Sequence, residues 1–265
     1  MRLLVFGDSH AACLIEAWRA GGWPADWQMA FFVRPGSGPP EHTLSGTTIH
    51  AATPAFLDVL QRLDQPSTHD LAAQDAFVIV GGGVSLFPLV HVLNQYDVLD
   101  WGGEIGRDGR PALTETVLRL ALSEALMNST AGRLMAELRA MPGLADRPIH
   151  LLPQPFPSER VLTDRSAPAG AGLRRMARLR LADRAATIFH EATEQLARQF
   201  GAHLHRQPED TVTQHAFTTL AYTTEARRLV NLARPQRSND ILHANQAYGR
   251  RVLQALADDP RGVAQ

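Results

Sequence analysis

Five short apolar runs, each stopped by glycine, proline or a polar turn, alternate along the chain with stretches whose apolar residues recur at three- and four-residue spacing. Short continuous apolar runs suit strands buried on both faces, and the helical spacing suits crossovers. The order therefore predicts an α/β fold with a parallel sheet and helices on both sides. The expected strands are residues 3–6, 27–33, 76–80, 148–152 and 202–206. Helices are expected after Ser9, after Pro54 and after Pro111, the last running over 112–141 with a break at 128–130. A helix of about 28 residues should run to Phe200, and a final one should cover 247–257. Residues 158–172, rich in Ser, Ala, Pro and Gly, read as a mobile loop, and residues 209–237 carry no clear period.

A chain of 265 residues with 45% hydrophobic content can bury a real core, and residues 1–265 are taken as a single domain. Basic residues number 26 against 27 acidic, for a formal charge of −1, which argues against a surface built for nucleic acid or an anionic membrane. Every basic residue is arginine. The absence of lysine excludes a Walker-type phosphate loop, a lysine Schiff base and the usual pyridoxal-phosphate chemistry. The single cysteine, Cys13, excludes an intrachain disulfide and any multi-cysteine metal site, and fits a reducing compartment. The apolar opening at residues 2–6 ends at Gly7-Asp8, too early for a signal segment, and the apolar run at 76–84 is well below the ~18 residues that span a bilayer. The expectation is a soluble, cytoplasmic protein.

In an open parallel sheet, ligands sit beyond the carboxyl ends of the strands. Gly7-Asp8-Ser9-His10 follows the first expected strand, a glycine turn at 36–38 follows the second, and Gly81-Gly82-Gly83 follows the third. Asp240-Ile241-Leu242-His243 lies just before the last helix. A serine at a strand-to-helix junction has free helix N–H groups beside it. It is either a plain N-cap or a nucleophile whose oxyanion would be stabilised at once. A histidine three residues after an aspartate could share one point with it in a loop, as base and orienter for that serine.

Gly7-Asp8-Ser9 after an N-terminal strand, with Asp240-x-x-His243 before a C-terminal helix, resembles the SGNH (GDSL-like) hydrolase family. The continuation from Ala244 to Gly249 and the segment Ile149-His150-Leu151-Leu152-Pro153-Gln154-Pro155 are also similar to the family. The resemblance implies a flavodoxin-like three-layer α/β/α sandwich of about five parallel strands. It implies Ser9 as nucleophile, His243 as base and then acid, and Asp240 as its orienter, with Asp8 structural. The family's oxyanion hole joins the nucleophile's N–H, a glycine N–H after the second strand and an asparagine after the third. Here Gly38 or Gly46 is expected to supply the glycine donor. The third strand ends in glycines with no asparagine, so Gly83 or Asn94 is left as a substitute donor. Were the position empty, Gly83→Asn should raise kcat.

The implied activity is hydrolysis of a small-acyl ester by an acyl-enzyme route. The alternatives are acyl transfer to a sugar or other alcohol, and a catalytically silent binding domain. The expected partner is a small-molecule or glycan ester, with no cofactor and no metal. His10 reads as a substrate contact or a surface residue, alongside Asn94. Cys13 reads as core, and Arg34 as a salt-bridged residue or a carboxylate holder. His203 and His205 share a strand face near Glu209 and Asp210, as an edge pair or part of a metal site. The five arginines between Arg174 and Arg184 read as a solvated helix face.

Overall fold

The computed structural model describes residues 1–36, 41–101, 109–167 and 170–259. Its centre is a five-stranded parallel sheet built from the predicted runs: β1 (Arg2–Gly7), β2 (Gln28–Val33), β3 (Ala76–Val80), β4 (Ile149–Leu152) and β5 (His203–Leu204). The spatial order is β5-β4-β3-β1-β2. β1 pairs with β2 and β3, so Gly7 lies opposite both Val33 and Val80, and Val80 lies opposite Leu152. Four strands thus end at one level. The chain turns to one side of β1 to make β2 and to the other side to make β3. That reversal opens a crevice at the carboxyl end of β1.

Successive residues of a strand face opposite ways, which divides the core in two. Leu4, Phe6, Phe77, Ile79, Ile149 and Leu151 point to one face, and α3 (Phe87–Gln95), α4 (Glu115–Met127), α5 (Thr130–Ala140), α6 (Gly170–Arg178) and α7 (Ala182–Gln199) cover it. Leu3, Val5, Val78, Val80 and Leu152 point to the other face, under α1 (Ala12–Arg19) and α8 (Gln246–Ala257). α2 (Pro54–Arg62) contributes Phe56 and Leu60 to the first cluster and Val59 to the second. The arrangement is mixed α/β and compatible with three layers. Among the described residues no helix is long and apolar enough to cross a membrane.

The expected break in the fourth helix is present: Ser129 caps α5 by accepting from the Gly132 N–H, at 3.1 Å. The expected 28-residue helix is instead two. α6 stops at Arg178, Arg180 takes a left-handed φ of 57°, and α7 starts at Ala182. A single helix of that length would run about 40 Å, far past the short strands it covers. The arginines there are not all solvated. Arg175 is largely buried, donating to the Leu93 carbonyl and pairing with Asp97 at 2.5 Å, and Arg184 pairs with Glu115 at 2.6 Å.

Residues 158–167 are pinned, in contrast to the mobile loop expected there. A 3-10 turn at Glu159–Leu162 buries Val161, and Ser158 is fully buried with its hydroxyl 2.7 Å from that of Thr223. Small antiparallel pairs fill segments the sequence left open: His42–Ser45 with Thr48–Ala51, and Arg227–Arg228 with Asn231–Pro235.

Candidate active site

The first half of the site is made where β1 ends. Gly7 leaves no room for a side chain, since a Cβ would lie 3.2 Å from both the Ala11 Cβ and the Val80 carbonyl oxygen. Asp8 is buried, and its carboxylate accepts from the His10 N–H at 3.0 Å and the Gly82 N–H at 2.9 Å. It thereby caps a one-turn 3-10 helix at Ser9–Ala11 and ties the exit of β1 to the exit of β3. With both oxygens used this way, Asp8 is a brace for the turn that presents Ser9.

The second half is the loop before α8. The Ser158 N–H donates to the Ile241 carbonyl at 2.9 Å. Asn245 caps α8 through its Oδ1, which accepts from the Tyr248 N–H, while its Nδ2 donates to the Ala221 and Thr224 carbonyls at 2.8 and 2.9 Å. Just before the first anchor, Asp240 accepts from the His243 backbone N–H through Oδ2 at 3.0 Å. Its Oδ1 lies 3.0 Å from His243 Nδ1, and His243 Nε2 lies 2.9 Å from Ser9 Oγ.

A carboxylate only accepts, so the Asp240 bond assigns the hydrogen to Nδ1, and a neutral His243 ring then turns its Nε2 lone pair toward the serine hydroxyl. Ser9, His243 and Asp240, named from the two sequence blocks, therefore form one continuous hydrogen-bonded relay. All three are partly buried, open enough for a ligand to approach.

His10 is buried, not a surface residue. Its ring stacks on that of His243, with centroids 4.9 Å apart and planes 19° from parallel. Burial pushes the His10 imidazole below its ordinary value; Asp8 pulls it up, His243 pushes it down and Asp240 pulls it up by smaller amounts. A neutral ring on the face of His243 adds bulk without a second positive charge. Cys13 is buried, as read from the sequence. Its Sγ donates to the His10 carbonyl at 3.2 Å, and burial pushes the thiol up to about 12, so it is no rival nucleophile.

The expected oxyanion donors separate. Gly38 lies outside the described residues. Gly46 sits at the exposed turn between His42–Ser45 and Thr48–Ala51, with nothing within 4 Å of where its Cβ would be. Asn94 is exposed near the end of α3, beside Gly172. Gly83 does lie in the loop that Asp8 ties down. Its φ is 87°, and a Cβ there would come 3.2 Å from the Ser129 Cβ. A side chain at Gly83 would stand in a left-handed, crowded position, so strain opposes any gain from Gly83→Asn. Asn128, at the junction against which this loop packs, spends its amide on the Glu124 carbonyl at 3.0 Å.

Arg34 is buried at the end of β2 and lies 3.7 Å from Glu41. It lines a cavity with Gly7, Asp8, His42, Gly82 and Thr130, on a floor of Phe6 and Phe32. His203 and His205 share a face as expected, but their neighbour is His150 on β4, not Glu209 or Asp210. Asp210 pairs with Arg251 at 2.9 Å. His150 was hidden inside an apolar strand, and its alternation with Leu151 was the one signal that could have placed it on the face of His203 and His205. Compared with protein-family models, with curated proteins and with solved structures, the chain gives no match.

Proposed function

We propose that the protein is a serine hydrolase of the SGNH type, cleaving a small-acyl ester through an acyl-enzyme. The observation that carries this reading is the relay from Ser9 Oγ to His243 Nε2 at 2.9 Å and from His243 Nδ1 to Asp240 at 3.0 Å. The strand order β5-β4-β3-β1-β2 supports a flavodoxin-like frame, with Ser9 at the reversal in strand order.

In this mechanism Ser9 Oγ attacks the ester carbonyl carbon while its proton passes to His243 Nε2. Asp240 stabilises the imidazolium formed. The tetrahedral intermediate collapses as His243 gives that proton to the departing alcohol oxygen, leaving the acyl group on Ser9. Water then enters, His243 takes its proton, and the second intermediate releases the acid and restores the serine. The negative oxygen is met by the Ser9 N–H at the start of its 3-10 turn and by glycine N–H groups, with Gly83 in the β3 exit loop the proposed one. A site without a side-chain amide loses a donor worth about 100- to 1000-fold in kcat, so slow turnover of simple acetyl esters is expected.

The test is labelling with a fluorophosphonate, read by intact mass and peptide mapping, beside a chromogenic acetyl-ester assay. One adduct on Ser9, absent in Ser9→Ala, supports the reading. Folded protein that stays unlabelled at high reagent would overturn it in favour of a silent binding domain. Faster release of the alcohol with added polyol, together with an acylated polyol product, would replace hydrolysis by transfer.

A further inference from the structure

On the face of the sheet under α8, three side chains from distant parts of the chain converge: buried His150 from the middle of β4, partly buried His205 just past β5, and buried Asp259 just past α8. We propose that His150, His205 and Asp259 form a binding site for a borderline divalent transition ion of the zinc class. The site goes beyond the hydrolase reading and does not depend on it.

The geometry has the scale of a coordination sphere. One donor atom from each residue falls within 4.8 Å of the others. His150 Nδ1 is 2.9 Å from His205 Nε2, and His205 Nε2 is 3.6 Å from an Asp259 carboxylate oxygen. Two ligands on one tetrahedral zinc, with bonds of about 2.0–2.1 Å, stand roughly 3.3 Å apart. Those two edges bracket that value, and the third, between His150 and Asp259, closes within 4.8 Å, so an ion would draw the carboxylate and the His150 ring inward.

The placement is also specific. β4 and β5 pair with His203 opposite His150, and the His205 N–H donates to the Leu151 carbonyl, which fixes the two imidazoles on one side of the sheet. Leu152, Val78 and Val80 share that face, with the His203 ring 5.3 Å from that of His150. A divalent cation compensates the carboxylate and takes one lone pair from each ring. From neutral rings, a hydrogen on either facing nitrogen moves to that ring's other nitrogen as the ion binds, with no net proton loss. Two nitrogens with one oxygen select zinc, cobalt or nickel over magnesium or calcium, which prefer oxygen. Three protein ligands leave a fourth position for water.

The test uses the tag-free full chain, stripped by chelator and titrated with Co²⁺ while its visible ligand-field absorption is recorded. The expected result is one Co²⁺ per chain, displaced by Zn²⁺, with Zn²⁺ also raising the melting temperature. Asp259→Asn and His205→Gln should each weaken the affinity by about 100-fold or more. His215→Asn, at an exposed histidine, should leave it unchanged. Circular dichroism checks that the variants fold, and the wild-type stoichiometry stands without them. Absence of saturable Co²⁺ uptake at millimolar concentration, or uptake that survives both ligand substitutions, overturns the site. Fluorophosphonate labelling of Ser9 in metal-free protein is read in parallel, so failure of this site and failure of the hydrolase reading are told apart.

Discussion

A Cβ placed on Gly249 would collide with the carbonyl oxygen of Cys13 and lie 3.0 Å from the Leu14 nitrogen, so α8 and α1 cross backbone against backbone at this point. The crossing has a consequence for the site. α1 begins three residues after Ser9, and α8 begins three residues after His243. The distance between the two helices therefore sets the distance between hydroxyl and imidazole. Gly249→Ala gains helix propensity but must force the helices apart, at a cost of about 1–3 kcal/mol typical of overpacking. The expected outcome is a lower melting temperature together with slower labelling of Ser9, even under conditions where the variant is fully folded. A variant as stable as wild type would show that the crossing relaxes freely.

Asp240 makes two bonds to His243, one to the backbone N–H and one to Nδ1. Asp240→Asn keeps the shape but presents an amide that can donate where only an acceptor holds the reactive tautomer. A loss of kcat of up to about 10,000-fold is expected, with KM little changed, because the interaction lost is one that strengthens as His243 becomes charged. Steady-state kinetics on a chromogenic ester checks this. A loss confined to KM would mean that Asp240 serves binding and not proton transfer.

The sheet and the relay could be read from the sequence for a common reason. Ala76–Val80 is a continuous apolar run and the neighbouring strands are mostly apolar, and the loops at their carboxyl ends are where an open sheet keeps its ligands. Gly7-Asp8-Ser9 and Asp240-x-x-His243 sit in those loops as compact blocks. What could not be read lacks such a local signature. The strands His42–Ser45 and Thr48–Ala51 hold four residues each, and the first keeps its side chains largely exposed, so no alternation betrays them. The boundary between α6 and α7 rests on one left-handed residue, Arg180, inside a stretch that keeps its helical period. Gly46 and Asn94 were drawn in by the need for a donor, and residue type alone does not say which way an amide points. The contact of His150 with His205 arises only from the pairing of β4 with β5.

The exit of β3 gives a direct test of the glycine loop. At φ 87°, and with the Ser129 Cβ 3.2 Å from where its own Cβ would sit, Gly83 accepts a side chain only by shifting the loop against α5. Gly83→Asn is expected to destabilise the fold by about 1–3 kcal/mol through backbone strain. It should lower kcat with it, since the same loop is held by the Gly82 N–H bond to Asp8 beneath Ser9. Urea unfolding and ester kinetics on one preparation separate the two effects. A rise in kcat at normal stability would mean that a missing amide donor limits the wild-type protein and that the loop tolerates a side chain.

His10 ties stability to pH. In the fold its imidazole is held below the ordinary value by burial, against the upward pull of Asp8 and Asp240 and with a small further push down from His243. In the unfolded chain it titrates near the reference value of about 6.5. On acidification through that value the unfolded state takes up a proton that the folded state refuses, so unfolding is favoured. The contribution is therefore harmless above about pH 7.5 and grows more destabilising as pH falls toward the lowered folded value. His69 and His190 are shifted in the same direction by burial and add to the same slope. His10→Phe keeps an aromatic ring against His243 and removes the titration, and the Nδ1 it deletes is buried with no hydrogen-bond partner found among the described residues. Urea unfolding of wild type from about pH 8 to about pH 5 should show falling stability, and His10→Phe should show a shallower fall over the same interval. Parallel curves for the two proteins would mean that His10 is protonated as readily in the fold as out of it.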